Sequence, residues 1–232
     1  MITLEDLEQK HNYTFSPLYK KLFEAGMLNW MRGFNEPLEE GKTWAKDVYP
    51  TLQENPPLFL HSGGFDLELM TPKQILEFEF PDTWNQEKYQ LIPFAKTSEK
   101  HLYAFYKNVE IEGENPIVFI WHEDETEIVA KNFEEFIFRT MLSASDDIDK
   151  ENLEADYGKE SAMEKYRDDL MLDLKSMAPF LKKEHHKILN EAYEGEVIET
   201  LISYSLKCAL PLKEIVNDLS FDELGDTFDH EA

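Results

Sequence analysis

The stretch PIVFIWHEDETEIVAKNFEEFIFRTML, residues 116–142, leaves a chain few ways to fold. Residues 116–121 form an apolar run of β-branched and aromatic side chains, a composition that fits a pleated, half-buried surface. The run stops at His122 and four acids, Glu123, Asp124, Glu125 and Glu127, and apolar residues resume at Ile128-Val129-Ala130. Two such runs around a short polar segment read as strand, turn, strand. Asn132-Phe133-Glu134-Glu135 then has the form of a helix cap, with Asn132 accepting from the Glu135 amide and the Glu135 side chain reaching back. Phe133, Phe136, Ile137, Thr140 and Met141 follow at i, i+3, i+4, i+7 and i+8, one apolar helix face. An isolated hairpin is marginal in water, so this unit must belong to a larger sheet that the helix covers.

The flanking sequence supplies that sheet. PLFLHSGGFDLELM, from residue 57, reads as strand, tight turn at Ser62-Gly63-Gly64, and strand. Thr71-Pro72-Lys73-Gln74 is a capping box ahead of Ile75, Leu76 and Phe78. Residues 91–95 (LIPFA) are a buried strand candidate, and 101–107 (HLYAFYK), which alternate with aromatics, are a further strand. Strands joined by short turns pair antiparallel, which predicts an α+β fold with a twisted, mainly antiparallel sheet and flanking helices. Thr3 and Ser16-Pro17 mark two N-terminal helices, and residues 29–50 read as irregular.

Past residue 142 the pattern changes. Residues 143–160 form a charged boundary. Met163, Tyr166, Leu170, Met171, Leu174 and Met177 then mark an amphipathic helix, and Ile188, Leu189, Ala192 and Tyr193 a second, closed by Gly195. Val197 to Cys208 is expected to be a third, and the tail from residue 218 to be frayed. The expected organisation is an α+β domain over 1–142, the boundary over 143–160, and a helical extension over 161–232 packed on the domain.

The acids raise the question of chemistry. HEDETE could hold a metal, act in catalysis, face a partner, or be a solvated turn. Successive residues of a strand point to opposite faces, so these side chains do not converge on one ion. Asp146, Asp147 and Asp149 resemble the start of a calcium loop, without its glycine at position six or its closing glutamate. His185 and His186 are adjacent on a helix and face about 100° apart. Cys208 sits in an apolar stretch, and no nucleophile elbow or phosphate-cradling loop is present. No metal, no cofactor and no enzymatic activity are expected. The solvated turn and the partner-facing surface both stay open.

Charge narrows the partner. The chain carries 48 Asp plus Glu against 23 Lys plus Arg, a net charge of -25. Such a chain repels nucleic acid and anionic membrane and attracts basic proteins. Solubility or adaptation to salt is the plainer reading of the same number. The single cysteine, Cys208, allows no internal disulfide and fits a reducing compartment. MITLEDLEQK has no basic stretch followed by an apolar one, and residues 197–212 are too short and too charged to span a bilayer. A cytoplasmic location is expected.

Residues 57–142 resemble the SUKH superfamily, which includes fungal cell-wall regulators and many bacterial immunity proteins. The resemblance is carried by the Gly63-Gly64 turn, Leu91-Ile92-Pro93-Phe94-Ala95, Tyr103-Ala104-Phe105-Tyr106, Pro116-Ile117-Val118-Phe119, the acidic tip at His122-Glu123-Asp124-Glu125, and Val129-Ala130 leading into Asn132–Phe136. It implies a twisted central sheet, no catalysis, and neutralisation of a cognate toxin by direct binding. The net charge would suit a basic toxin, for example a nuclease. Glu123, Asp124, Glu125, Glu127, Asp146, Asp147 and Asp149 are then the candidate partner-facing residues. A cytoplasmic regulatory adaptor or scaffold without a toxin is the alternative.

Overall fold

The computed structural model describes residues 2–31, 38–64, 66–85, 87–121, 126–207 and 227–228. In chain order the first part contains α1 (Leu4–His11), α2 (Pro17–Glu24), a π-helical turn (Trp44–Val48), α3 (Tyr49–Leu52), β1 (Glu68–Leu69), α4 (Pro72–Glu77), β2 (Leu91–Lys96), β3 (Leu102–Tyr106), β4 (Ile117–Ile120), β5 (Thr126–Ala130) and α5 (Phe133–Ser143). There follow β6 (Ile148–Asp149), α6 (Lys150–Tyr157), α7 (Ala162–Met177), α8 (Lys183–Tyr193), β7 (Glu196–Glu199), β8 (Ser203–Lys207) and β9 (Thr227–Phe228).

The architecture is α+β. Strands β1 to β5 lie side by side in sequence order, each antiparallel to the last, and β9 joins the edge beside β5. A second antiparallel sheet has the order β6-β8-β7. The alternation read from the sequence sorts the main sheet's two faces. Ile92, Phe94, Phe105, Ile117 and Ala130 join the core with α1, α2 and α5. Its aromatic centre stacks Phe15 on Tyr19 at 4.3 Å and sets Phe94 edge-on to Phe133 at 5.4 Å, geometries that add to plain area burial. Leu91, Ala104, Val118 and Ile120 occupy the opposite face, where Phe80, Trp84 and Tyr89 pack over them.

The expected caps form at α1, α2 and α4, with full capping boxes at Thr3 and Thr71. At α5, Asn132 accepts from the Glu135 amide at 2.9 Å, but the return bond is not made: Glu135 Oε2 is buried without a partner. The C-terminal end of α5 is fastened instead. Helix ends leave carbonyls without intrahelical donors. Here the Met141 carbonyl accepts from the Tyr193 hydroxyl at 2.7 Å, Leu142 from the Ser145 hydroxyl at 2.6 Å, and Ser143 from the Asp146 amide at 3.1 Å.

Two expectations need correction. Residues 58–64 are turns, not a strand, and Phe59 has a positive φ of 66°. Their backbone groups are engaged elsewhere: Leu58 donates to the Met27 carbonyl and accepts from the Trp30 indole, while the His61 and Ser62 amides donate to Asp173. Residues 197–207 form a hairpin, not a helix; Cys208 lies outside the described residues. Val197, Tyr204 and Leu206 alternate inward by twos, and Val197 pairs with Leu206, so a period-two burial overrides the helical reading. Of the tail from residue 218, Thr227 and Phe228 pair with Glu127 and Thr126, and its other residues lie outside the described ones. Residues 143–160, read as a charged boundary, contain β6 and α6.

One contiguous core cluster includes Leu7, Phe133, Leu153, Leu170, Leu189 and Leu206, so the N-terminal helices, α5 and the C-terminal elements share an interior. Beside it, Gly195 is a tight junction between the end of α8 and the hairpin. A Cβ there would stand 2.2 Å from the Lys207 carbonyl oxygen, and its own carbonyl accepts from Arg167 at 2.7 Å. Backbone cannot yield as a flexible side chain would. Gly195→Ala should therefore cost at least about 1–3 kcal/mol, the range for overpacking. Urea unfolding is the check; an unchanged midpoint would mean α8 and the hairpin do not meet this closely.

Candidate functional site

The candidate acids separate into two groups. Glu123, Asp124 and Glu125 lie outside the described residues. Glu127, their neighbour, is half-buried on β5, where its Oε1 accepts from the Trp121 indole at 3.0 Å. Trp121 stays 40% exposed and stacks edge-on with Phe119 and His101 at 4.8 and 4.9 Å. Asp146, Asp147 and Asp149 are exposed on the other sheet, at the start of β6. Asp147 takes a positive φ of 47° and its amide donates to Ser205 Oγ. Asp149 caps α6, accepting from the Asn152 amide at 2.7 Å. Asp146, Asp147 and Asp149 are brought together; Glu127 belongs to the main sheet. Among the described residues no three His, Cys, Asp or Glu side chains are grouped to hold a metal ion.

The most concentrated polar chemistry lies elsewhere, at Asp173 on α7. Its side chain is 1% exposed. Oδ2 accepts from the His61 amide at 3.0 Å, the Ser62 amide at 2.8 Å and the Ser62 hydroxyl at 2.7 Å, and Oδ1 meets His61 Nδ1 at 2.8 Å. His61 Nε2 faces Asp169 at 3.8 Å and the Tyr49 hydroxyl at 3.5 Å, and Tyr157 donates to Asp169 at 2.8 Å. A serine, a histidine and an aspartate in contact suggest a nucleophile relay, but the connections are wrong for one. A relay needs the histidine to take the serine's proton. Here the Ser62 hydroxyl donates to the aspartate, and the His61 side chain is only 3% exposed. The set is built to hold the 58–64 turn against α7.

Burial alone would push the His61 imidazole below its ordinary value; its hydrogen bond to Asp173 and the charges of Asp173 and Asp169 outweigh that and raise it. Burial also raises the Tyr157 phenol, with its bond to Asp169 adding to the effect. The sequence did carry a signal for the clamp. Residues 163, 166, 170, 173 and 177 share one helix face, and four of them are apolar. The fifth is an aspartate in a core position.

A model of the SMI1/KNR4 family (SUKH-1) matches residues 2–139, more than half of the chain, and the protein belongs to that family. The match takes in the N-terminal helices as well as the stretch from 57 that carries the resemblance in sequence. No curated protein and no solved structure matches the chain. No helix among the described residues is long and apolar enough to cross a membrane. The turn that Asp173 holds lies inside the matched region, and Asp173 itself lies beyond it.

The raised His61 value has a sign that can be tested. A base whose folded value exceeds its unfolded one contributes full stability below the unfolded value and loses it as the pH rises through the folded one. The window therefore opens near pH 6.5 and extends upward. The stability gap between wild type and His61→Asn should shrink from pH 6 to pH 9 in urea unfolding. A gap that is constant across that range would mean His61 is not charged in the folded protein.

Proposed function

We propose that the protein is a non-enzymatic binding protein that neutralises a cognate toxin by direct contact, and that the toxin is basic. The observation that carries this reading is the net charge of -25 on a member of the SMI1/KNR4 family. A deficit of that size over so many exposed positions makes long-range attraction to a basic protein strong. A basic nuclease, whose site is built for phosphate, is the fitting target. An immunity factor blocks such a site by occupying it, and catalysis is not needed for that. The clamp at Asp173 supports the absence of catalysis in this reading, because its donors and acceptors are used on one another.

The partner-facing charge is assigned to Glu123, Asp124, Glu125 and Glu127, the last of them on β5 of the main sheet, and to Asp146, Asp147 and Asp149 on the second sheet. Asp149 also caps α6, so it serves structure and surface together. Glu127→Gln keeps an oxygen for the Trp121 indole and removes only the charge.

Rim charges set the association rate and its salt dependence more than the dissociation rate. The probe is the purified product of the reading frame adjacent to this gene. Glu123→Gln, Asp124→Asn, Glu125→Gln and Glu127→Gln together should slow association with it. The loss should fade as salt rises, because the screening length falls to about 8 Å near physiological ionic strength. Folding should hold, with stability within about 0.5 kcal/mol of wild type, because Glu127→Gln keeps the acceptor for the Trp121 indole. Identical salt slopes for wild type and variant would remove these four from the interface, and no binding at all would remove the toxin reading.

A further inference from the structure

The β7–β8 hairpin ends in two aliphatic side chains held out in water. Leu201 is 97% exposed and Ile202 77%, and Ile198 on β7 is 46% exposed. Scattered exposed apolar residues are normal, but here three fall within five residues of one hairpin, and concentrated apolar exposure marks interaction sites. Local chemistry does not ask for these residues. Two-residue hairpin turns favour Asn, Asp or Gly, which take positive φ readily. Here the two central positions hold Leu and Ile, and neither has a positive φ. A local rule broken without structural gain points to function.

The tip is rigid. The Thr200 hydroxyl accepts from the Ile202 and Ser203 amides at 3.3 and 2.9 Å. The Thr200 amide donates to the Ser203 carbonyl at 2.8 Å, and the Lys150 amide to the Ile202 carbonyl at 3.0 Å. The side chains are thus presented in a fixed position, which lowers the ordering cost of binding.

Charge decides what the tip meets. On one side β6 places Asp147 and Asp149 beside β8; on the other, β7 carries Glu196 and Glu199, exposed and partly matched by Lys207 and Lys150. A second copy is a poor occupant. Two β7 strands pairing antiparallel about Val197 and Ile198 would set Glu196 of each opposite Glu199 of the other, and like charges directly opposite destabilise a sheet. A basic surface would instead gain from both sides of the rim.

We propose that Leu201 and Ile202, with Ile198 beside them, are the anchor of the partner interface, inserted into an apolar recess ringed by Lys and Arg on a basic protein. This rests on the reading of the protein as a toxin-binding factor, and it moves the affinity of that interface to a hairpin outside residues 2–139. Residues 2–139 then supply the scaffold, and the C-terminal hairpin selects the partner.

The test places the photocrosslinker p-benzoylphenylalanine in the full chain, at position 201 in one variant and at position 121 on the main sheet in another. Both are irradiated in the cells that make the protein. Position 201 should crosslink a basic protein. Once that protein is identified and purified, Leu201→Ser with Ile202→Ser should weaken its binding by about 30-fold or more, as truncation of a central anchor does. The melting temperature of the variant should stay within about 2 °C of wild type, because both side chains are exposed. Crosslinking from 121 but not 201 would overturn the anchor and leave the toxin reading standing, as would an unchanged affinity in the double variant. A crosslink from 201 to a second copy or to an acidic protein would overturn the stated partner. No crosslink from either position would remove both readings.

Discussion

Asp173 occupies a position on α7 that the apolar stripe would give to leucine. A carboxylate taken out of water costs several kcal/mol unless its oxygens are met. Four donors meet this one, and all four come from His61 and Ser62. That requirement shapes both partners. The backbone at 61–62 must turn its amides toward α7, so it cannot donate to a neighbouring strand. Helix α7 must lie where its fourth turn reaches that loop. Removing one member of such a set leaves a buried group without partners, at a cost of about 3–5 kcal/mol.

The other fastenings follow the same direction. Tyr166 donates to the Ala144 carbonyl at 3.0 Å and Tyr193 to the Met141 carbonyl, so α7 and α8 both close on the end of α5. His185 on α8 stacks flat on Phe138 at 4.0 Å. The C-terminal elements therefore take up the polar groups that the family-like region leaves over, and their apolar faces complete its core. The exposed face of this addition carries the acids at the start of β6 and the hairpin beyond α8.

Much of this was legible in the sequence where one local period dominated. The alternation in 101–107 and the apolar run of 116–121 identified β3 and β4, and the Phe133–Met141 spacing identified α5. The failures are the places where a distant residue decided. Nothing local in PLFLH reveals that an aspartate 112 positions away takes the His61 amide. In VIETLISYSLK the apolar residues fit both a helix and a strand; the exposed turn at Leu201-Ile202 falsifies helical amphipathicity only once its exposure is known. The family-like character of the first 56 residues was hidden too, because short helices α1 and α2 show little beyond their caps. Their part in the fold is the packing of Phe15 and Tyr19 on Phe105, which is a long-range fact.

Asp173 joins α7 and the family-like region into one cooperative structure, so that acids and hairpin are displayed at fixed positions. Native-state hydrogen exchange tests this directly, because it separates local from global opening. With rising denaturant, the amides of α7, of His61 and Ser62, and of β2 to β5 should converge on one opening free energy. Exchange of the α7 amides through a separate opening, several kcal/mol below that of the sheet, would contradict it.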